Sequence, residues 1–297
     1  MLRLLILLAL LSPSARAEVG ALDSDGRRVA LASPAQRIVS LAPHVTELLF
    51  AAGAGAKVVA VSEYSDYPEA AKSLPRVASS STVDLERVLA LRADLVVAWR
   101  LSATAQSLDR LQGLGIPVFY SEPHRLAEIP DQLEALGALA GTGAQAHPAA
   151  ARLRDELARL REKYRDRAIV SVFYQLVQKP LMTVNGRHFI SDALSLCRAR
   201  NVFAAAPLIA PQVVEEAVLA ADPDVIVAAR PSESDTEWKA QWTRFAGLRA
   251  VQHGNLVTLR ANELHRHGPR AIEATARLCE LLDGARGRAG VKAANPR

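Results

Sequence analysis

The side chains best suited to binding chemistry stand directly after predicted strands. Tyr64 and Tyr67 lie in the polar loop SEYSDYP, which follows the apolar run Val58–Val61, and Trp99 follows the apolar run LVVA. Open α/β sheets bind ligands outside the carboxyl ends of their strands, where aromatic faces suit a large, partly apolar molecule. The alternative is that these rings only cover the core of their own domain. We favour the ligand-binding interpretation.

No catalytic or metal-binding motif accompanies these aromatic residues. The sequence contains no nucleophile elbow, no H-E-x-x-H pair and no phosphate-binding loop. Gly53 and Gly55 form a G-x-G, but they follow a helical pattern and therefore predict the end of that helix. The polar segments HVTE (44–47) and HRH (265–267) do not by themselves make an acid–base site. We therefore expect a binding protein without catalytic activity, cofactor or metal site.

An internal repeat contains one of the aromatic positions. Residues 83–100, VDLERVLALRADLVVAWR, align without gaps with residues 213–230, VVEEAVLAADPDVIVAAR, and nine of the eighteen positions are identical. Each copy has the pattern of a short helix followed by a strand that is apolar on both faces, which is typical of a parallel sheet covered by helices. The two copies predict an α/β protein with two similar lobes and mainly parallel sheets.

A long helix is predicted between the two copies. Residues 147–167 carry an apolar stripe at helical spacing, Pro148 suits a first turn, and no later glycine or proline offers a hinge. At 1.5 Å per residue this helix would be about 30 Å long, enough to join two lobes rigidly. We therefore divide the mature chain into an N-terminal lobe (18–146), this joining helix, a C-terminal lobe (168–283) and a disordered basic tail (284–297).

The start of the chain, residues 1–17, is typical of a secretory signal peptide. Arg3 precedes the apolar run 4–11, and Ala15-Arg16-Ala17 matches an A-x-A cleavage signal. The run is too short to span a membrane, and no cysteine lies at the cleavage site to carry a lipid. We expect a soluble periplasmic protein that begins near Glu18.

Charge and cysteine content narrow the class further. The formal net charge is +5, but no basic patch carries interleaved aromatics, which argues against nucleic-acid binding. The chain has two cysteines, Cys197 and Cys279. In an exported protein a disulfide is the default interpretation, and two buried free thiols are the alternative. Zinc binding is disfavoured because neither cysteine has a further ligand at the usual spacing.

Several segments together resemble the periplasmic cobalamin-binding proteins of ABC importers. They include RIVSLAPHVTELLFAAG, VSEYSDYP, DLERVLALRADLVVAWR, MTVNGRHFISDALSLC and HGPRAIEATARLC, and the similarity extends over nearly the whole mature chain. The resemblance implies a class III periplasmic binding protein, in which one rigid backbone helix joins two α/β lobes that hold the ligand between them. It also implies that a corrinoid is the transported ligand and that an inner-membrane ABC permease with its ATPase subunits is the partner. We expect a monomer.

The resemblance also assigns residues to the ligand site. Tyr64 and Trp99 match aromatic residues of the cleft that contact the corrin. Arg266 matches an arginine on a ligand-binding loop, and Asn262 takes the place of an acidic neighbour. Three further aromatic positions of the relatives are occupied here by other residues, namely Ser80, Leu176 and Ala210. The predicted aromatic cage is therefore thinner than in the relatives.

Glu86 and Glu216 occupy the same position in the two repeats. A carboxylate in the first turn of a helix is favoured by the helix dipole, so capping alone is one interpretation. In the family that the chain resembles, the equivalent glutamates dock onto arginines of a twofold-symmetric permease. One acidic residue on each lobe suits such a partner, and we favour the docking role.

A haem or ferric-siderophore receptor of the same fold is the alternative function. A haem receptor would need an axial tyrosine or histidine, for which Tyr64, Tyr67 and His44 are the candidates. His265 and His267, in the HRH segment, could add polar ligand contacts, although an isolated histidine is more often structural. The sequence leaves the preferred corrinoid open.

Overall fold

The computed structural model describes residues 18–100 and 104–290. The predicted signal peptide, 1–17, therefore lies outside the described residues. Within them, the chain forms two lobes, each with its own parallel sheet. No helix in this part of the chain is both long and apolar enough to cross a membrane.

The N-terminal lobe begins with an antiparallel hairpin and continues as a parallel sheet with helices. The hairpin strands are β1 (Val19–Leu22) and β2 (Arg28–Leu31). The sheet strands are β3 (Ile38–Ser40), β4 (Val58–Ser62), β5 (Arg76–Ala78), β6 (Leu95–Ala98) and β7 (Val118–Tyr120). The helices are α1 (Pro43–Ala51), α2 (Leu85–Ala90), α3 (Ala105–Gly113) and α4 (Glu128–Ala140). The order in the sheet is β5-β4-β3-β6-β7, and every pair is parallel.

The joining helix, α5, spans Gly143–Tyr164, so it begins before the predicted start at 147 and ends before 167. Pro148 lies inside the helix and not in its first turn. The alanines on both sides of this proline are strong helix formers, which allows the helix to begin earlier than the proline suggests. The predicted apolar stripe is confirmed, because Leu157, Leu160 and Tyr164 are buried.

The C-terminal lobe contains a four-stranded parallel sheet in the order β11-β10-β8-β9. Its strands are β8 (Val170–Gln175), β9 (Ala199–Asn201), β10 (Val225–Arg230) and β11 (Leu256–Arg260). Its helices are α6 (Phe189–Leu196), α7 (Glu215–Ala221), α8 (Ala240–Thr243), α9 (Arg249–Gln252), α10 (Ala261–Leu264) and α11 (Arg270–Arg288). A disulfide joins Cys197, just after α6, to Cys279 in α11, as predicted.

The prediction of a disordered tail from 284 is wrong at its start, because α11 continues to Arg288. Ala285 and Arg286 are buried. The Arg286 guanidinium donates hydrogen bonds to the backbone carbonyls of Cys197 (2.6 Å) and Ala168 (2.7 Å), which ties this last stretch of helix to the lobe. Residues 291–297 lie outside the described residues.

The duplicated unit occupies the same place in both sheets, which confirms the prediction of two similar lobes. Strand β6 lies beside β3, and β10 lies beside β8. The repeated aspartates also have the same role: Asp94 accepts a hydrogen bond from the backbone N–H of Arg37 (2.9 Å), and Asp224 accepts one from that of Ser171 (2.7 Å). Each aspartate thus ties its repeat to the start of the first strand of the parallel sheet.

One cluster of buried apolar residues is continuous across both lobes. It runs from Val45 of α1 through Leu157 and Tyr164 of α5 to Ile272 of α11. A continuous core resists large relative movement, because opening it would expose apolar surface to water. The two lobes therefore share α5 as a packed centre and not only as a linker.

Candidate functional site

The predicted ligand residues all lie beyond the carboxyl ends of sheet strands. They are Tyr64 after β4, Ser80 after β5, Trp99 after β6, Leu176 after β8, Ala210 between β9 and α7, and Asn262 and Arg266 after β11. Both sheets are parallel, so in each lobe these loops gather at one edge. This placement follows directly from the strand pattern of the sequence.

Trp99 lies at the junction of the two lobes. The centroid of its ring is 5.7 Å from that of His44 in α1 and 5.9 Å from that of His267 in the C-terminal lobe. His267 stacks on Phe189 of α6, with ring centroids 4.4 Å apart. The Trp99 indole N–H is buried and has no hydrogen-bond partner among the described residues. Trp99 therefore contacts the opposite lobe and does more than cover its own core.

Four histidines lie in or near this ring cluster: His44 is buried, and His188, His265 and His267 are half-buried. Burial lowers the pKa of His44, His188 and His265 to about 4, and that of His267 to about 3. The ring nitrogen Nε2 of His44 is 2.9 Å from the Ser121 carbonyl oxygen. Within residues 18–100 and 104–290, no group of three or more His, Cys, Asp or Glu side chains could hold a metal ion.

Tyr64 is the exposed aromatic residue at the edge of the N-terminal lobe. Its residue surface is 74% exposed, and its backbone has a left-handed φ of 61°, which is uncommon outside glycine. Its carbonyl oxygen accepts a hydrogen bond of 2.9 Å from Arg266. The neighbouring Tyr67 ring is covered by the Arg270 guanidinium at 4.1 Å. The Tyr64 ring is thus free to contact a ligand, whereas the Tyr67 ring is already occupied.

Arg266, in the C-terminal lobe, pairs with two acidic residues of the N-terminal lobe. Neither of these acids was given a role in the site from the sequence. Arg266 donates hydrogen bonds to Glu47 (3.3 Å) and Asp66 (2.5 Å), and Arg270 donates to both oxygens of Glu47 (3.0 and 2.6 Å). We call Glu47, Asp66, Arg266 and Arg270 the interlobe clamp. The hydrogen bond from Arg266 holds the pKa of Asp66 below its usual value. One sequence signal was available, since Glu47 is the only acidic residue in the mostly apolar helix PHVTELLFA.

The remaining predicted ligand residues differ in exposure. Ser80 and Asn262 are exposed, whereas Leu176 and Ala210 are half-buried. Leu176 packs against the continuous core, and the Asn262 carbonyl lies 3.4 Å from an Arg270 nitrogen that donates to it. Their contacts with a ligand stay predictions.

Glu86 and Glu216 lie in the first turns of α2 and α7, and both are exposed. Asp84 already caps α2, because its carboxylate accepts a hydrogen bond of 2.9 Å from the backbone N–H of Arg87. In α7 the neighbouring Glu215 pairs with other side chains. Neither Glu86 nor Glu216 forms an ion pair or hydrogen bond through its side chain with another described residue. Glu216 also borders a surface cavity of about 650 Å³.

These features define a class of protein: a two-lobed receptor in which the carboxyl edges of two parallel sheets meet around one site. Residues 38–263 match the family of periplasmic binding proteins. The chain belongs to this family, and its fold is that of the class III members predicted from the sequence.

Relatives within the family carry a more specific name. The vitamin B12-binding protein of Vibrio parahaemolyticus is 37% identical over 84% of this chain and 90% of its own length, and that of Yersinia pestis is 38% identical over 84% and 88%. Among solved structures, the periplasmic vitamin B12 binding protein BtuF of Vibrio cholerae matches with a TM-score of 0.79 and 39% identity, over 85% of this chain and 98% of that one. The resemblance inferred from the sequence is thereby confirmed.

More distant structures share the fold alone. The periplasmic haem-binding protein HutB of Vibrio cholerae matches with a TM-score of 0.73 but only 20% identity, over 83% of this chain and 98% of that one. Haem receptors therefore have the same two-lobed architecture, and the ligand must be argued from the site.

Proposed function

We propose that this protein captures cobalamin or a related corrinoid between its lobes in the periplasm and delivers it to an ABC permease. The observation that carries the proposal is the ring cluster in which Trp99 of one lobe meets His267 of the other at 5.9 Å. It stands at the sheet edge where parallel α/β lobes bind ligands. The vitamin B12-binding relatives at 37–39% identity support the same ligand.

The chemistry of the cleft suits a flat macrocycle with amide groups at its edge. The exposed Tyr64 ring and the Trp99 ring offer apolar faces for stacking, and the Trp99 N–H and Asn262 offer hydrogen bonds. Ser80, Leu176 and Ala210 leave the aromatic cage open at three positions. Because cobalamin brings its own cobalt and its own ligands, the chain needs to supply no metal ligand, and it acts as a carrier and not as an enzyme.

We expect delivery of the ligand to the permease to depend on docking through the two glutamates of the repeat. Glu86 and Glu216 begin helices that follow the carboxyl ends of strands, one on each lobe, and both carboxylates are exposed and unpaired among the described residues. Two equivalent acids related by the internal repeat are complementary to arginines on a two-subunit permease. We expect one receptor molecule, acting as a monomer, to dock through both lobes.

Titration calorimetry of the mature chain, beginning at Glu18, tests the ligand. We expect one cyanocobalamin to bind per chain, weaker binding of cobinamide, and no Soret shift with haem. Among the candidates for an axial haem ligand, His44 is buried and its Nε2 lies 2.9 Å from the Ser121 carbonyl oxygen, which leaves only its Nδ1 for iron, whereas Tyr64 is exposed. Binding of haem with a Soret band, together with no heat from cyanocobalamin, would establish the haem receptor instead.

A further inference from the structure

Three of the four side chains of the interlobe clamp are largely buried, and the transport function assigns a role only to Arg266, as a predicted ligand residue. The side chain of Glu47 is only 1% exposed, and those of Arg266 and Arg270 are 12% and 14% exposed. Its two acids belong to the N-terminal lobe, and its two arginines belong to the C-terminal lobe. A buried carboxylate is tolerated only when it is paired and hydrogen-bonded. The Glu47 carboxylate therefore keeps its ion pairs with Arg266 and Arg270 only while the two lobes stay at their present separation.

Beside the clamp, the backbone of the C-terminal lobe also lies close to α1 of the N-terminal lobe. A Cβ atom placed on Gly268 would lie 3.5 Å from both the Glu47 Cβ and the His44 carbonyl oxygen, so the C-terminal loop contacts α1 directly. Arg266 also donates to the Tyr64 carbonyl (2.9 Å). The exposed tyrosine loop of one lobe is thus tied to the arginine loop of the other.

We propose that Glu47 is a positioning residue that sets the separation of the two lobes, and that Arg266 must release Asp66 and the Tyr64 carbonyl before a ligand can pass between the Tyr64 loop and the C-terminal lobe. Moving the Tyr64 loop away from the C-terminal lobe breaks the hydrogen bonds of Arg266 to Tyr64 and Asp66 at the same time. Ligand entry and clamp opening are therefore the same movement. The role in ligand entry rests on the proposed function, whereas the control of lobe separation does not.

The test is the distance between the lobes in the ligand-free protein. Spin labels at Ser81→Cys and Ile209→Cys report it, since both positions are exposed and the native cysteines are joined in a disulfide. We expect a narrow distance distribution in the otherwise wild-type chain and a broader, longer one in Glu47→Gln. The matched control is Glu134→Gln, because Glu134 accepts two hydrogen bonds from Arg154 (3.0 and 2.7 Å) without crossing between lobes. Its distribution should not change.

A second variant keeps the proposal testable if Glu47→Gln does not fold. Asp66→Asn removes the negative charge that pairs with Arg266 at a half-exposed position, so it should widen the distribution less but in the same direction. Unchanged distributions in the folded Glu47 and Asp66 variants would overturn the proposal, as would an equal widening in Glu134→Gln.

Stopped-flow mixing with cyanocobalamin tests the entry step. We expect the association rate constant of Glu47→Gln to rise about tenfold over that of Glu134→Gln. An unchanged rate in a variant whose lobes have separated would contradict control of entry by the clamp. If no variant binds cyanocobalamin while Glu47→Gln still separates the lobes, the ligand assignment fails and the clamp stands.

Discussion

The two lobes share a scaffold but present opposite charges to the space between them. In both, the repeat places its strand beside the first strand of the parallel sheet, and a repeated aspartate ties the two together. At the cleft, however, the N-terminal lobe contributes Glu47 and Asp66, and the C-terminal lobe contributes Arg266 and Arg270. The duplicated segments thus form the sheets of both lobes, whereas the charged residues that differ between the lobes connect one lobe to the other.

The lobes also differ in how they are stabilised. Among the described residues, the disulfide belongs to the C-terminal lobe, as do three of the four cleft histidines whose pKa is lowered by desolvation. The N-terminal lobe instead packs α4 against the joining helix, and its parallel sheet has five strands where that of the C-terminal lobe has four. Four experiments test whether this division holds.

The largest effect is expected from changing Glu86 and Glu216, which occupy equivalent positions in the two lobes. Reversing both repeat charges, with Glu86→Lys and Glu216→Lys, should abolish corrinoid uptake in cells, because both lobes would then repel the arginines that we propose as their partners on the permease. The purified variant should bind cyanocobalamin as wild type does. The matched control, Glu69→Lys with Glu162→Lys, changes exposed acids away from the repeat and should leave uptake intact. If uptake survives the double reversal, the two glutamates have no role in docking and only interact favourably with their helix dipoles.

Removing the disulfide should affect the C-terminal lobe selectively. The bond closes a loop of 82 residues, so Cys197→Ala with Cys279→Ala should lower the free energy of unfolding by about 4 kcal/mol in the chain-entropy model. Hydrogen exchange should show faster exchange of amides in β8–β11 than in β3–β7. Equal loss of protection in both sheets would show that the shared core couples the lobes completely.

Acidification should destabilise the protein through the cleft histidines. The folded pKa of His267 is about 3, below its unfolded value near 6.5, so the unfolded chain binds a proton first as the pH falls. The stabilisation is complete above about pH 6.5 and is lost progressively towards pH 3, which gives about 2 kcal/mol for His267 alone between pH 7 and pH 5. Urea unfolding at pH 7 and at pH 5 measures this loss of stability.

Two variants sharpen the pH test. His267→Phe keeps a ring against Phe189 and should flatten the dependence, whereas His147→Gln changes an exposed histidine on α5 and should leave it as in wild type. A free energy of unfolding that is equal at pH 5 and pH 7 would contradict the burial of the histidine cluster.

The smallest of the four effects concerns Trp99 itself. Trp99→Ala should weaken cyanocobalamin binding about 30-fold, equivalent to about 2 kcal/mol, because it removes a stacking face at the lobe junction. Trp99→Phe keeps a face but removes the unpaired indole N–H, so it separates stacking from hydrogen bonding. Calorimetry gives both affinities. An affinity unchanged in the alanine variant would remove Trp99 from the ligand site.

Local sequence patterns predict the scaffold because their causes are local. The repeat, the doubly apolar strands and the signal for the disulfide each lie within short segments or follow from composition. The start of α5 was misplaced because proline usually occupies the first turn of a helix, whereas Pro148 lies inside α5. The end of α11 was missed because the basic composition of residues 284–297 suggests a disordered tail, whereas the buried Arg286 is held by carbonyls about 90 positions earlier.

The clamp could not be predicted, because its partners stand about 200 residues apart in the chain. Arg266 was assigned to the ligand from its motif alone, and no local pattern indicates that Glu47 and Asp66 already accept its hydrogen bonds. Buried ion pairs of this kind are set by the tertiary arrangement of the lobes. The position of each predicted ligand residue beyond the carboxyl end of a strand, in contrast, follows from the strand in front of it.

A crystal structure of the mature chain with cyanocobalamin tests the central claim most directly. The claim is that the carboxyl edges of two duplicated sheets form one corrinoid site. It predicts a corrin held between the lobes, in contact with Tyr64 and Trp99 on one side and with Leu176 or His267 on the other. A ligand bound to one lobe only, or in the cavity beside Glu216, would contradict it.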